Sequence, residues 1–310
     1  MAEVPSGVLA ERDGQGQEIY VQSMEKSVEA KAKEIFPWVK PGVIVDAGAG
    51  AGPLTDLLSK SFPGSTIVAL DMSSDMIDRL NRRFEGRKNV EVVHGDIDSF
   101  RYREPVSTFI NVSVFHEDFS FNGYSHEKII KTLIRQKQAL EKGGVDIIRD
   151  GVQPEQEVLY LRPLTEFACD RFIKFVKGFK QVRDVNYMIG NFHSDVFVQN
   201  GRRNFVDADV GKSFIEISSQ NASEMFSKYF YAEKNLPVEL SEQFGIWTLR
   251  EYKKILTDLG FTVKHAETFL LDYLLKEHYS KDFEVFHLKN GVLSNAPYPP
   301  STMLLVGEKQ

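Results

Sequence analysis

Cysteine is almost missing from this chain: Cys169 stands alone among 310 residues. A single thiol forms no intrachain disulfide and builds no cysteine-based zinc site. Positive charge is also in deficit. Lys and Arg number 38 against 44 Asp and Glu, a formal net charge of −6, so no global positive field gathers nucleic acid. No apolar run approaches the roughly 18 residues that a membrane-crossing helix needs. The stretch Met1 to Ser6 has neither a basic region nor an apolar one of the signal-peptide kind, so the expectation is a soluble cytoplasmic protein. Internal repeats and low-complexity segments are lacking too. What is abundant is Phe, at 23 residues, which predicts a large apolar core or a greasy pocket. The apolar share of 42% and charged share of 26% are ordinary for globular proteins. The length suits two average domains, or one core domain with a large insertion.

Residues 1–15 are small and polar and read as an arm. From about Gln17 to Phe36 the pattern is helical, stopped by Pro37 and Pro41-Gly42. A regular alternation follows. Val43-Ile44-Val45 is a short apolar run of the kind a buried parallel strand requires. Leu54, Leu57, Leu58 and Phe62 then recur at helical spacing. Thr66 to Leu70 reads as a second strand ending at Asp71, and Met76, Ile77, Leu80 and Phe84 share a helix face. Strands three to five are expected at Val90–Val93, Ser107–Val114 and Val145–Ile148. The helix before the fifth is capped by Ser125 and ended by Gly143-Gly144. Strands alternating with helices predict a parallel sheet covered on both faces.

The rhythm breaks from about 153 to 245. It resumes at Thr248-Leu249-Arg250-Glu251, a capping box, followed by strands at Phe261–Leu271 and Thr302–Gly307 around a loop-rich segment. The expected organisation is an N-terminal arm and helix over 1–41, a core split between 42–152 and 246–310, and an inserted lid over 153–245. An insertion at the end of a strand lies over the carboxyl edge of the sheet, where open α/β folds bind ligands.

The sharpest local signal is Val45-Asp46-Ala47-Gly48-Ala49-Gly50-Ala51-Gly52-Pro53, between the first strand and the first helix of the alternation. Alternate glycines let the backbone turn tightly and approach a ligand closely. The helix amino end then faces that ligand. A dinucleotide fold uses G-x-G-x-x-G. Here Pro53 stands where the third glycine belongs, and Gly52 comes one residue early. Asp71, about 20 residues further on, suits a ribose diol in either class of ligand.

The run Asp46 to Gly52 resembles the first motif of class I S-adenosylmethionine-dependent methyltransferases. The resemblance extends to Asp71, to Gly95-Asp96-Ile97 and to the last two strands, and covers 42–152 and 246–310 but not the lid. It implies an α/β fold: a Rossmann-like seven-stranded sheet, with the lid, α-rich or α+β, between strand five and the following helix. It implies S-adenosyl-L-methionine as cofactor. By position, Asp46, Gly48, Gly50 and Gly52 would cradle its methionine and ribose part, and Asp71 would bind the ribose hydroxyls. Met72 would pack on the adenine, Asp96 would accept from its amino group, and Ile97 would donate a backbone N–H. Asn111 would face the methionine end. Tyr20, on the N-terminal helix, would fold over the cofactor.

Methyl transfer asks the protein mainly to align the reactants and exclude water. A general base is needed only where the nucleophile carries a proton of high pKa. His116, with Glu117 beside it, follows the fourth strand and is the candidate base; Tyr124 and His126 are weaker ones. His126-Glu127 does not extend to H-E-x-x-H, because residue 130 is Ile, so no metal site is expected. Arg171, Lys174, Lys177 and Lys180 form a basic stripe among Phe172, Phe175 and Phe179. The reading these features favour is a methyltransferase acting on a small organic acceptor enclosed by the lid. It involves no nucleic acid and no membrane span, and it admits a homodimer. Three rivals stay open: an RNA methyltransferase using the 171–183 stripe, a nicotinamide-dependent oxidoreductase, and a non-catalytic cofactor-binding protein.

Overall fold

The computed structural model describes residues 27–181, 186–188, 197–198, 214–290 and 292–310, which divide into two units. One holds the described residues up to Asp150 with Leu249–Glu267 and Met303–Gln310; the other holds Gly151–Thr248 and Thr268–Thr302. In the first unit α1 (27–35) leads into β1 (Val43–Ala47), α2 (Pro53–Ser61), β2 (Thr66–Asp71), α3 (Ser74–Arg83) and β3 (Val90–His94). There follow β4 (Val106–Val112), α4 (Phe115–Phe121), α5 (His126–Ala139) and β5 (Leu140–Gly151). The second unit contributes β6 (Val158–Pro163), α6 (Glu166–Gly178), β7 (Asn186–Met188), β8 (Phe197–Val198), β9 (Phe214–Ser218), α7 (Ser219–Lys228) and α8 (Leu236–Glu239). The chain continues with α9 (Leu249–Asp258), β10 (Phe261–Phe269), β11 (Phe283–Lys289), β12 (Val292–Asn295) and β13 (Thr302–Lys309).

The first sheet has the order β10-β13-β5-β4-β1-β2-β3. Strand β1 is central because every one of its five residues is buried, as a strand covered on both faces must be. It pairs in parallel with β2 on one side and β4 on the other. The strand order therefore reverses between β1 and β4, and the glycine turn leaves β1 at that switch point, where doubly wound sheets take ligands. The register sets Ala47 beside Leu70 and Asn111, and Asp71 beside His94, so the strand ends that carry the candidate residues line up.

The expected alternation is present, with one change of detail. Helix α5 ends at Ala139, where Leu140 turns to extended backbone, four residues before Gly143. The two glycines belong to β5 instead. Leu140 pairs with Val106 but Val145 with Thr108, so the strand carries a register irregularity between them. Gly143 has φ +78°, and a Cβ on Gly144 would lie 3.0 Å from the Val106 carbonyl oxygen. The glycines allow the irregularity rather than stopping the helix.

The second unit is α+β. Its six-stranded sheet runs β12-β11-β6-β9-β7-β8, with antiparallel pairs. Leu159, Leu161, Ile215, Ile217, Phe283 and Val285 pack with Phe172, Phe175 and Phe179 around α6 and with Met225, Phe226 and Tyr229 on or next to α7. Much of the phenylalanine surplus is thereby used to build this unit's own core. Residues 268–302, which the sequence assigns to the 246–310 part of the core, lie in this second unit. The reason is β11, whose Phe283 and Val285 are buried and which pairs with β6 more than a hundred residues earlier. The glycine inside α6 has a packing cause, since a Cβ on Gly178 would sit 2.6 Å from Leu240 Cδ1.

Under α5 the first unit buries a polar layer. Asn111 Nδ2 on β4 donates to Asp146 Oδ1 on β5 at 2.7 Å, and Gln136 Nε2 on α5 donates to the Asn111 side-chain oxygen Oδ1 at 2.8 Å. The second oxygen of Asp146 is buried with no hydrogen-bond partner among the described residues. Complete burial pushes the Asp146 carboxyl up to about 8, against the opposing pull of the Asn111 hydrogen bond. Its ordinary value is 3.8. Between those two values the unfolded chain has lost a proton that the folded chain keeps, so stability falls as pH rises and levels off above about 8. Asp146→Asn keeps the acceptor for Asn111 and removes the titration. Urea unfolding is expected to show the variant on the order of 2 kcal/mol more stable than the parent at pH 8, with the gap closing towards pH 4. A gap that does not change with pH contradicts this assignment.

Candidate cofactor and active site

The glycine turn is fixed by backbone geometry at each glycine. Gly48, Gly50 and Gly52 have φ of +72°, +55° and +81°, a region that side-chain-bearing residues rarely adopt. The N–H groups of Gly48 and Ala49 donate to the Leu70 carbonyl at 2.9 and 3.0 Å. The Gly50 N–H donates to Asp71 Oδ2 at 2.8 Å. A Cβ on Gly48 would meet Val114 Cγ2 at 2.6 Å, and one on Gly52 would meet Leu80 Cδ2 and Phe84 Cε2 at 2.7 Å. Gly52 thus does the close helix packing that a third glycine does in dinucleotide folds, one residue earlier. Pro53 is the first residue of α2, where its missing N–H costs nothing.

Three carboxylates, Asp46, Asp71 and Asp96, lie at or just past the carboxyl ends of β1, β2 and β3. Asp46 is buried and accepts the Thr55 hydroxyl at 2.6 Å. Burial is the main cause that pushes its carboxyl up to about 6, and the Thr55 hydrogen bond works against it. Asp71 is also buried. Its Oδ1 accepts from the Ser73 N–H at 2.9 Å while Oδ2 holds Gly50. Desolvation raises its pKa despite these bonds. A carboxylate offers about four lone-pair sites, so Asp71 retains capacity for hydroxyl donors. Beside it Met72 is 45% exposed, an apolar surface at the strand end, and Ile97 is buried. Asp96 is already engaged: Oδ1 accepts from the Asp98 N–H at 3.0 Å and Oδ2 lies 3.3 Å from Lys128 Nζ.

One expected contact changes. Asn111 is fully buried and its amide is committed to Gln136 and Asp146, so its side chain is withdrawn from the ligand edge. The pattern of β4 shows a polar residue at the strand end but not which face it takes, and here it takes the α5 face. Tyr20 lies outside the described residues.

His116 sits in the first turn of α4 and is buried. Its carboxylate partner is Asp150, at the end of β5, with Nδ1 and Oδ1 2.6 Å apart. The other oxygen of Asp150 accepts the backbone N–H groups of Val114, Phe115 and His116 at 3.1, 2.8 and 3.3 Å. One carboxylate therefore fixes both the start of α4 and the orientation of the imidazole. Glu117, the neighbour in sequence, is half-buried in the same turn. A carboxylate at Nδ1 makes that nitrogen the N–H donor and leaves Nε2 as the basic atom. Sequence reasoning missed Asp150; its signal was a charged pair, Arg149-Asp150, closing an apolar strand. It also missed Lys31 on α1. Burial, reinforced by Arg149, lowers the Lys31 ammonium to about 8, while Asp150, Glu34 and Asp46 oppose the shift.

Two of the four cations of the basic stripe, Arg171 and Lys174, are held by acidic residues of the second unit. Arg171 is only 5% exposed, lies over the Phe167 ring and pairs with Glu233 at 3.1 Å. Lys174 pairs with Asp170 and Glu233 at 2.8 and 2.7 Å. Among the described residues no helix is long and apolar enough to cross a membrane.

Residues 44–144 match the family model described as a methyltransferase domain. The malonyl-[acyl-carrier protein] O-methyltransferase of Halalkalibacterium halodurans is 33% identical over 106 residues, 34% of this chain and 38% of that one. The protein of the same name from a Paenibacillus species is 21% identical over 258 residues, 81% of this chain and 78% of that one. The chain thus spans well under half of the first relative and about three quarters of the second. Among solved structures, an O-methyltransferase family 2 protein from Planctomyces limnophilus, in complex with apigenin, superposes with a TM-score of 0.50. It is 10% identical, with 96% of this chain and 62% of that one covered, a likeness of fold alone. The matched domain coincides with the strands that carry the glycine turn and the acidic strand ends, and over these residues the chain is similar to a methyltransferase domain.

Proposed function

We propose that this chain methylates an oxygen of a small organic acceptor, with His116 as the general base. The observation that carries the reading is the His116–Asp150 pair, buried and 2.6 Å apart, at the carboxyl ends of the strands that follow the glycine turn. The residues present suit the cofactor. Asp71 keeps lone-pair capacity for a ribose diol, Met72 offers an exposed apolar face beside it, and the glycines leave the turn without side chains. When bound, S-adenosylmethionine supplies a methyl carbon already activated by its sulfonium leaving group.

The protein's own work is then to bind, orient and move one proton. Asp71 and the turn hold the ribose and methionine side of the cofactor. His116 takes the acceptor's hydroxyl proton at Nε2, leaving an oxygen nucleophile, and the imidazolium formed is stabilised by Asp150. Asp150 does not need to accept the proton. Its charge is spread over Nδ1–H and three backbone N–H groups. Several relatives carry names that agree with an oxygen acceptor or a small molecule, among them the malonyl-[acyl-carrier protein] O-methyltransferases and a demethylmenaquinone methyltransferase of Thermotoga maritima. A nucleic-acid acceptor has less support, since the formal net charge is −6 and two of the four stripe cations, Arg171 and Lys174, are engaged with acidic partners.

Two variants separate binding from chemistry. Asp71→Ala is expected to weaken S-adenosylhomocysteine by more than roughly tenfold in calorimetry, through loss of charged hydrogen bonds and of the Gly50 tether. An unchanged affinity removes Asp71 from the cofactor site. His116→Ala is expected to lower kcat by about a hundredfold or more on an acceptor found by screening with labelled methyl donor, while the S-adenosylhomocysteine Kd stays the same. Asp150→Asn follows it in direction, because an amide cannot accept as the carboxylate does. Full turnover in the His116 variant makes the imidazole structural and shifts the reading to an acceptor that needs no base.

A further inference from the structure

Within the second unit a cavity of about 230 Å³ opens between the end of α6, the first turns of α7 and the chain before α9. Its lining is unlike that of most ligand pockets, which are apolar with a few polar groups. Five carboxamides line it, from Gln153, Gln181, Gln220, Asn221 and Gln243, with Phe179 as an apolar residue among them. Glu224 is the charged residue among those that line it, and its charge is cancelled within the wall. Lys228, fully buried one turn along α7, pairs with it. The N–H groups of Gly245 and Phe244 donate to its two oxygens at 2.7 and 3.0 Å. The cavity therefore presents no net charge to an occupant, and desolvating an ion there would go uncompensated.

The amides are also partly fixed in advance. Gln153 and Gln243 both donate Nε2 to the Gly245 carbonyl, at 2.9 and 2.7 Å. The Gln181 amide oxygen is buried and has no hydrogen-bond partner among the described residues. A buried acceptor left unpaired costs free energy, and a ligand that donates to it recovers that cost. A polar cavity of this size is hydrated in solution. A ligand displaces such water well only if it reproduces the water's hydrogen bonds. The hydroxyl group, donor and acceptor on one atom, does so most closely. Phe179, buried, stacked on Phe175 with ring centroids 5.0 Å apart and with Lys228 Nζ 5.2 Å from its centroid, is a fixed apolar part of the lining.

From the neutralised carboxylate, the five amides and the unpartnered Gln181 oxygen, we infer that this cavity binds a small neutral polyhydroxyl ligand, a sugar or cyclic polyol. The site lies wholly within the second unit and does not depend on the methyltransferase reading.

The test is direct binding to the full chain without cofactor, so that its failure says nothing about methyl transfer. myo-Inositol and glucose are the probes, with glucuronate and glucosamine as charged controls, followed by saturation-transfer NMR and calorimetry. At least one neutral probe is expected to bind, and both charged controls to bind at least roughly tenfold more weakly. Gln220→Leu and, separately, Gln181→Leu are each expected to weaken the neutral probe by roughly tenfold, the loss of about one hydrogen bond. Two variants at independent positions keep the test valid should one fail to fold. Absence of binding by both neutral probes, equal binding of a charged control, or unchanged affinity in the folded variants overturns the inference.

Discussion

The site depends on how the glycine turn is fastened to the end of β2. Two N–H groups of the turn share the Leu70 carbonyl, and the next reaches the Asp71 carboxylate. These bonds hold three successive residues against a neighbouring strand, Gly48 and Gly50 among them in backbone conformations that side chains would oppose. Buried strands β1 and β2 make the anchor rigid, since they pair in register along their length. The consequence is electrostatic as well as geometric. Asp71 is kept at the strand end in a desolvated place, where a hydrogen bond to a ligand is worth more than in water.

A second carboxylate does for the chemistry what Asp71 does for the turn. Asp150 ends β5, yet it organises the loop after β4, because parallel pairing sets Val112 beside Arg149 and brings the two strand ends together. Its bonds to three successive N–H groups start α4, and its remaining oxygen orients His116. Such a shared role has a cost. Any change at Asp150 acts on helix, loop and imidazole together, so His116 is the cleaner position at which to separate catalysis from structure.

Much of the first unit was legible because its signals are local. A fully apolar run, a glycine turn and an acidic residue at the next strand end lie within about thirty residues, and each reports its own backbone requirement. What was not legible depends on distant pairing. Asn111 occupies a strand end as expected, but its face is decided by Gln136 and Asp146 on other elements. Gly143 and Gly144 look like a helix stop, and only the register of β5 against β4 shows their use. Asp150 could not be matched to His116 from spacing, being 34 residues away. The membership of 268–302 in the second unit depends on β11 finding β6, a pairing with no sequence-adjacent rhythm. The phenylalanines were counted correctly, and the structure uses many of them as core.

The central claim is that the turn built from Gly48, Gly50 and Gly52 with Asp71 receives S-adenosylmethionine rather than a dinucleotide. Isothermal calorimetry of the unmodified chain with S-adenosylhomocysteine, and in parallel with NAD, tests it most directly. The account predicts saturable binding of S-adenosylhomocysteine at about micromolar Kd and none of NAD. Binding of NAD, with S-adenosylhomocysteine inert, would contradict it.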